Sequence, residues 1–514
     1  MDETSTSVQP KLLDIIGHCP EHVTDVRYDR SQLKPGVFHI GPSNFFLAHL
    51  ACILDDVAAA GDLNWGVKVA SLRKADTIEA LRKQKGLYVL IEREGSEREA
   101  KILGPIVDSL FAPEDPQAMV AAMADPAIRM WTMTITPVGY HRDEEGDLKL
   151  AHADVVHDLN LVEGQTPATV YWYLTQALLK RRDLQAHAAQ PQKTGDFGLT
   201  IASFDNITKN SQCLYKTLLQ YVRAAGHSEL VEWIQQHVAF PVTLVDRITP
   251  EVTAKFRKEA AKYLGFESTV VIGCEMYRDL GIEVSQFDTP TWPDDVKVVE
   301  DCSDLAAAKF FYLNAAHTVP AMVGARVGEE FIHDAMQRES LSALVSLFHT
   351  EIETFLPADA SYKAKIKRRF SDPAPQDTTR RVGRNGTDKA SNRLMAAIER
   401  AMRVDHTVPK APTFVVACWL LNLGGKDELG QVIHLDDPEA QKLDVEHLEV
   451  IAWSVGANPQ TQDLAAILRK IGASTGDDRF VRMARVETFV QQLRWSLLAI
   501  TRHGAEEALK SLLG

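Results

Sequence analysis

The sequence predicts an α/β domain built on a parallel sheet over residues 1–295, followed by a mostly α-helical domain over residues 296–514. Three observations carry this. Short β-branched runs alternate with amphipathic stretches through the first 300 residues, the pattern of a parallel sheet covered by helices. Beyond that point strand-like runs almost vanish and helical periodicity takes over. Between the two patterns lies SQFDTPTWPDD, residues 285–295, whose two prolines mark a linker. A chain of 514 residues is also too long for one hydrophobic core.

In chain order, strands are expected at 37–40, 67–72, 130–136, 199–204, 242–248 and 270–273. Amphipathic helices fall between them, at 45–60 and 211–225 among others. Sheets of this kind bind ligands beyond the carboxyl ends of their strands. In the second half, helices are expected at 305–319, 341–355, 389–403, 412–423, 461–471 and 481–498. Pro320 should end or kink the first of these, because it lacks the N–H of a helix interior. Residues 373–387, rich in Pro, Gly and Arg, read as a loop.

Acidic residues outnumber basic ones, 70 to 56, for a net charge of -14. That surface repels nucleic acid and anionic lipid at long range. The six cysteines stand apart in apolar or mixed surroundings, so a clustered zinc-type set is absent and buried free thiols are expected. The N-terminus is acidic and Ser/Thr-rich with no apolar core region, unlike a secretory signal. The longest run without a polar residue, 414–421, is too short to cross a bilayer. A cytoplasmic protein without membrane or nucleic-acid partners is the expectation.

The strand at 37–40 runs into Gly41-Pro42-Ser43-Asn44-Phe45 and then a helix. Such a turn suits a pyrophosphate, because free backbone N–H groups at a helix start point at the anion. It is equally an ordinary strand–helix turn with Ser43 or Asn44 as N-cap. The second strand ends at Ser71-Leu72-Arg73-Lys74-Ala75-Asp76. There Asp76 would accept from the ribose hydroxyls of NAD, while Arg73 and Lys74 would hold the extra phosphate of NADP.

The most informative stretch is AAAKFFYLNAAH, residues 306–317: nearly apolar, yet carrying Lys309, Asn314 and His317. At about 100° per residue, His317 lies roughly 80° from Lys309 and Asn314 roughly 140°. Carbinol oxidation needs a base for the hydroxyl proton and donors for the oxygen as charge develops. A lysine among Phe and Leu would lose its proton more easily, since burial disfavours the ammonium. The bland alternative is a snorkelling lysine with Asn and His satisfied in a domain interface.

Residues 238–250, VAFPVTLVDRITP, closely resemble the signature of the mannitol dehydrogenase family, the long-chain polyol dehydrogenases. Lys309, Asn314 and His317 resemble that family's catalytic helix in type and spacing. Ser203-Phe204-Asp205-Asn206 looks like its Asp-Asn turn, and residues 41–49 like its cofactor loop, with Gly41, Asn44 and Phe45 at matching places. Arg381 and Lys389 fall in stretches similar to those near the family's substrate. The likeness implies a Rossmann-like first domain, with NAD as cofactor and NADP left open. It implies a sugar alcohol and its ketose, of the D-mannitol/D-fructose type, interconverted by metal-free hydride transfer in a monomer. Lys309 would be the base, Asn206 and Asn314 the holders of the alkoxide-like oxygen, and His317, Arg381 and Lys389 substrate contacts. Asp246 would order the cofactor side of the site or form a buried structural pair with Arg247.

The chain departs from the family in places. Ser43 stands where glycine is usual, Leu47 where a basic residue is common, Ala306 where a glutamate often precedes the lysine, and Pro137 where an acid is expected. No tyrosine is followed four positions on by lysine, as a short-chain dehydrogenase requires. The alternatives are a hexuronate reductase acting on fructuronate or tagaturonate, favoured by Arg380, Arg381 and Arg384, and a catalytically weak sugar or nucleotide sensor.

Overall fold

The computed structural model describes residues 10–187, 198–443 and 461–514, with side chains from 464 in the last stretch. The first nine residues, part of the segment read as lacking a secretory signal, lie outside the described residues, as do the side chains of 461–463 at the start of an expected helix. The chain divides into two compact units, 1–302 and 303–514.

The first unit is organised by a six-stranded, all-parallel sheet. Its strands are β1 (Pro35–Ile40), β2 (Gly66–Ser71), β3 (Ile106–Phe111), β4 (Met130–Met133), β5 (Leu199–Ser203) and β6 (Val238–Ala239). Their order across the sheet is β3-β2-β1-β4-β5-β6, the doubly wound dinucleotide-binding order. β1, β4 and β5 are buried almost end to end, as parallel strands covered on both faces must be. Helices α1 (Asn44–Ala48), α2 (Leu50–Ala59) and α3 (Asp76–Lys83) follow β1 and β2, and α4 (Ala153–Leu159) lies further on.

Two expected strands belong elsewhere. Thr243–Asp246 pairs antiparallel with Asp279–Glu283 in a three-stranded sheet. Val271–Glu275 joins a four-stranded mixed sheet beside Tyr88–Glu94. Tyr88–Glu94 and Glu97–Leu103 form a hairpin that periodicity missed, because EREGSERE at its turn has the charge of a solvated helix face.

Arg247 ties these sheets together. Its buried guanidinium donates to the Ala48 carbonyl at the end of α1 (2.5 Å) and to the Glu275 carbonyl (3.0 and 2.8 Å), and it pairs with the Glu92 carboxylate. Glu92 is thus a structural ion-pair partner of Arg247. Lys101 also reaches Glu92. Burial opposes ionisation of Glu92, but the Arg247 and Lys101 cations outweigh it and hold its carboxyl below the usual range.

In the second unit α5 (Ser303–Ala308), a π-helical segment (Lys309–Ala315) and α6 (Ala316–Arg326) run on as one helix. Pro320 lies inside α6 and does not end it. The wide π turn just before it already shifts the hydrogen-bond register, so carbonyls there take partners from outside the helix. His349, on α7 (Glu339–Glu353), donates from Nε2 to the Tyr312 carbonyl (2.9 Å), and Arg393 donates to that of Asn314 (2.5 Å). The expected loop at 373–387 holds two short helices instead. Thr378 starts Thr379–Gly383 by accepting from the Arg381 N–H (3.1 Å), and Gly386–Lys389 continues through a second π segment (Ala390–Met395) into Ala396–Asp405. The apolar run at 414–421 lies in Lys410–Asn422, buried all round as the central helix of this unit. Among the described residues no helix is long and apolar enough to cross a membrane.

Replacing Glu92 by alanine leaves Arg247 charged and buried without its counter-ion. The expected cost is about 3–5 kcal/mol of unfolding free energy, read from urea titrations of the intact chain. A loss below about 1 kcal/mol would show the pair to be dispensable.

Candidate active site

At the carboxyl ends of β1, β2 and β4, where the strand order reverses, the first unit holds a cavity of about 520 Å³. Its floor is the turn after β1. Gly41 has φ +88°, and a Cβ there would sit 2.5 Å from the Thr134 carbonyl oxygen. Only glycine fits both the backbone angle and the close approach. Thr134 Oγ1 donates to the Gly41 carbonyl (2.6 Å), and the Gly41 N–H donates to Ala70 (2.8 Å). Ser43 is the N-cap of α1, accepting from the Phe46 N–H at 3.2 Å. A glycine turn leading into a helix start at the switch point is an anion cradle of the dinucleotide type.

Asn44 and Phe45 follow in the first turn of α1, half-buried and outside the cavity lining, and Phe45 stacks on His49 with ring centroids 5.0 Å apart. Asp76, the first residue of α3, is exposed and also outside the lining, whereas Arg73 and Lys74 line it. Asp246 ends its strand half-buried.

The wall after β4 is strained. Thr136 has φ +65° and His141 φ +46°, both in the region that favours glycine. Asp205 holds this wall, accepting from the Ile135 and Thr136 N–H groups (3.1 and 2.9 Å) and from the Tyr140 hydroxyl (2.8 Å). Burial raises the Asp205 carboxyl above its usual range against these three donors. Asn206, next in the chain, is exposed. The Asp-Asn turn thus divides its labour: the acid anchors a loop, and the amide faces outward. Asn210 locks the turn by donating to the Asp205 carbonyl (3.0 Å) and to Thr243 Oγ1 (2.9 Å).

His39, Thr134 and Asn210 escaped the sequence reading of the site, which held Asp205 only as part of the Asp-Asn turn. Position relative to a strand end would have flagged Thr134, while His39, buried in β1 with its Nδ1 2.8 Å from Thr132 Oγ1, carried no signal. Among the described residues His141, His152 and Asp154 bring three potential metal-ligand atoms within 4.8 Å. His152 Nδ1 is already committed to capping α4 through the Asp154 N–H (3.2 Å), which makes the set a poor cage.

In the second unit Lys309 is 7% exposed and opens the π segment. The π register bonds residue i to i+5, so five residues make about one turn. Asn314 therefore comes round toward the face of Lys309, nearer than α-helical spacing predicts. His317, one turn further, is half-buried and stacks on Phe370 with ring centroids 4.5 Å apart. Burial, with Arg369, Arg393, Arg381 and Lys389 around it, pushes its imidazole down to about 3. His317 is thus neutral at working pH, able to donate from one nitrogen and accept at the other.

Lys389 Nζ donates to the Val382 carbonyl (2.6 Å), and burial among Arg393, Arg381 and Arg384 lowers it to about 8. Arg381 is mostly exposed and pairs with Asp377. Arg380 pairs with Asp436 at 3.0 Å.

The chain matches the mannitol dehydrogenase Rossmann domain over residues 35–294 and the mannitol dehydrogenase C-terminal domain over 302–453. It is 29% identical over 510 residues to a mannitol 2-dehydrogenase of Aspergillus terreus, covering 96% of both chains. It is 30% identical over 440 residues to a polyol:NADP oxidoreductase of Gluconobacter oxydans, covering 82% of this chain and 88% of that protein. Its structure is similar to a substrate-free D-sorbitol dehydrogenase, with TM-score 0.84 and 26% identity over 98% of this chain and all of the other. It is also similar to the Pseudomonas fluorescens mannitol 2-dehydrogenase solved with NAD and D-mannitol, with TM-score 0.70, 26% identity and coverage of 98% and 99%.

Burial pushes four imidazoles well down: His39 and His317 to about 3, His49 and His349 to about 4. Each is neutral in the fold but takes a proton in the unfolded chain below its ordinary value of 6.5. Folding stability is therefore complete above that pH and drains away as pH falls towards 3–4. Urea midpoints measured across this range should decline with acid, and a flat profile would contradict the buried neutral state.

Proposed function

The chain belongs to the mannitol dehydrogenase family, and from that we propose that it is a nicotinamide-dependent polyol dehydrogenase, interconverting a sugar alcohol and its ketose. The observation that carries the proposal is Lys309, buried at the start of a π turn that brings Asn314 towards its face, with neutral His317 beyond.

NAD, present in the Pseudomonas fluorescens structure, fits the cavity of the first unit: Gly41 leaves no room for a Cβ and Ser43 starts a helix there. When bound, the nicotinamide supplies a hydride acceptor. Lys309, as a neutral amine, accepts the carbinol proton. The Asn314 amide donates to the oxygen as negative charge builds, and Asn206 takes the second donor role that the family likeness assigns to it. His317 orients a neighbouring hydroxyl without adding charge. Arg393 fixes the Asn314 backbone through its carbonyl and so steadies the donor side chain. No metal is needed, since the lysine does the proton work.

A second reading has one observation in its favour. Arg369, Arg381, Arg393 and Lys389 crowd His317, a setting that also suits the carboxylate of a hexuronate such as fructuronate or tagaturonate.

Nicotinamide absorbance with a panel of polyols, ketoses and uronates tests both readings. Turnover of D-mannitol or D-fructose, unaffected by EDTA, is the expected result. Preference for uronates would select the second reading, and dinucleotide binding without any turnover would leave only a sensor. Lys309→Ala should lower kcat by about 10²–10⁴ while dinucleotide binding persists. Asn314→Ala should lower kcat by about a hundredfold. A change confined to KM in either variant would remove that residue from the chemistry.

A further inference from the structure

We propose that Arg73 and Lys74 grip a phosphate on the ribose 2′-oxygen of the dinucleotide, so that the cavity holds NADP more tightly than NAD. The inference rests on reading that cavity as the dinucleotide site. In the β3-β2-β1-β4-β5-β6 order, the end of β2 is where the adenosine ribose lies, and discrimination between the two dinucleotides is made there. An acid at that point accepts from a free 2′-hydroxyl and repels a 2′-phosphate; a base does the opposite. The wall that β2 contributes is Ser71, Leu72, Arg73, Lys74 and, from the start of α3, Thr77. No carboxylate lines the cavity among the described residues. Asp76, the acid nearest in sequence, is exposed and outside the lining.

The local backbone favours this arrangement. The Lys74 N–H donates to Ser71 Oγ at 3.3 Å, turning the chain as β2 ends and placing both cations in the cavity wall. Arg73 meets Asp154 at 3.5 Å, with side chains 64% and 37% exposed. A long, solvated pair of this kind is worth little. A phosphate dianion therefore competes well for the guanidinium, which can offer two parallel N–H donors. Lys74 adds a compact second charge, and among the described residues its ammonium has no ion-pair partner. Ser71 and Thr77 bring hydroxyls to the same wall.

Isothermal titration of the intact protein with NADP⁺ and with NAD⁺ at low salt tests this without reference to any sugar. The expected result is about tenfold or more tighter binding of NADP⁺. That ratio should shrink as salt rises, because the contacts are solvated charges. In the Arg73→Ala, Lys74→Ala double variant the ratio should fall to about one. NAD⁺ bound as tightly as NADP⁺ by the unaltered protein would overturn the proposal, as would a ratio unchanged in the double variant. Failure to bind either dinucleotide would instead overturn the reading of the cavity itself.

Discussion

The Arg247 guanidinium is the tie on which the first unit depends. It reaches the end of α1, the end of Val271–Glu275 and a carboxylate on Tyr88–Glu94. A helix end and two paired strands thereby meet at one side chain. A charge so deeply buried is tolerated only when its N–H groups find acceptors, and here carbonyls and Glu92 provide them. The arginine of the Val-Asp-Arg-Ile-Thr-Pro signature is thus architectural. It fixes where α1 ends, and so where the glycine turn before α1 lies.

Asp205 plays the matching part on the other side of the cavity. A β-branched residue with positive φ, Thr136, costs on the order of 1–3 kcal/mol and persists only where its surroundings over-determine it. Two backbone N–H groups and a tyrosine hydroxyl converging on one buried carboxylate do so. The wall is rigid because a single acid holds both ends of it, Thr136 at one and Tyr140 at the other. Asn206, next in the chain, is exposed.

Much of this was legible in the sequence, for identifiable reasons. The alternation that placed β1, β2, β4 and β5 is a direct imprint of burial on both faces. Lys309, Asn314 and His317 stand out because polar groups in an alanine-rich apolar stretch are conspicuous. What stayed hidden depends on long-range pairing or on altered helix geometry. Arg247 and Glu92 are separated by 155 residues, and nothing local links them. Asp76 drew attention by its charge, but its place beyond the end of β2 turned it away from the cavity while Arg73 and Lys74 remained. Pro320 read as an end or a kink because the periodicity argument assumed an ordinary helix, and the widened turn before it leaves no mark in residue type.

That widened turn makes the winding of one helical segment decide which side chains share a face. Between Lys309 and Asn314 the helix carries a residue more than an ordinary turn would. Wound as an ordinary α-helix with its length unchanged, the segment would set the Lys309 and Asn314 side chains roughly 140° apart. Removing one residue instead would leave the two side chains about 40° apart, four residues on along an ordinary helix. The extra residue is thus absorbed in the backbone without parting the two side chains.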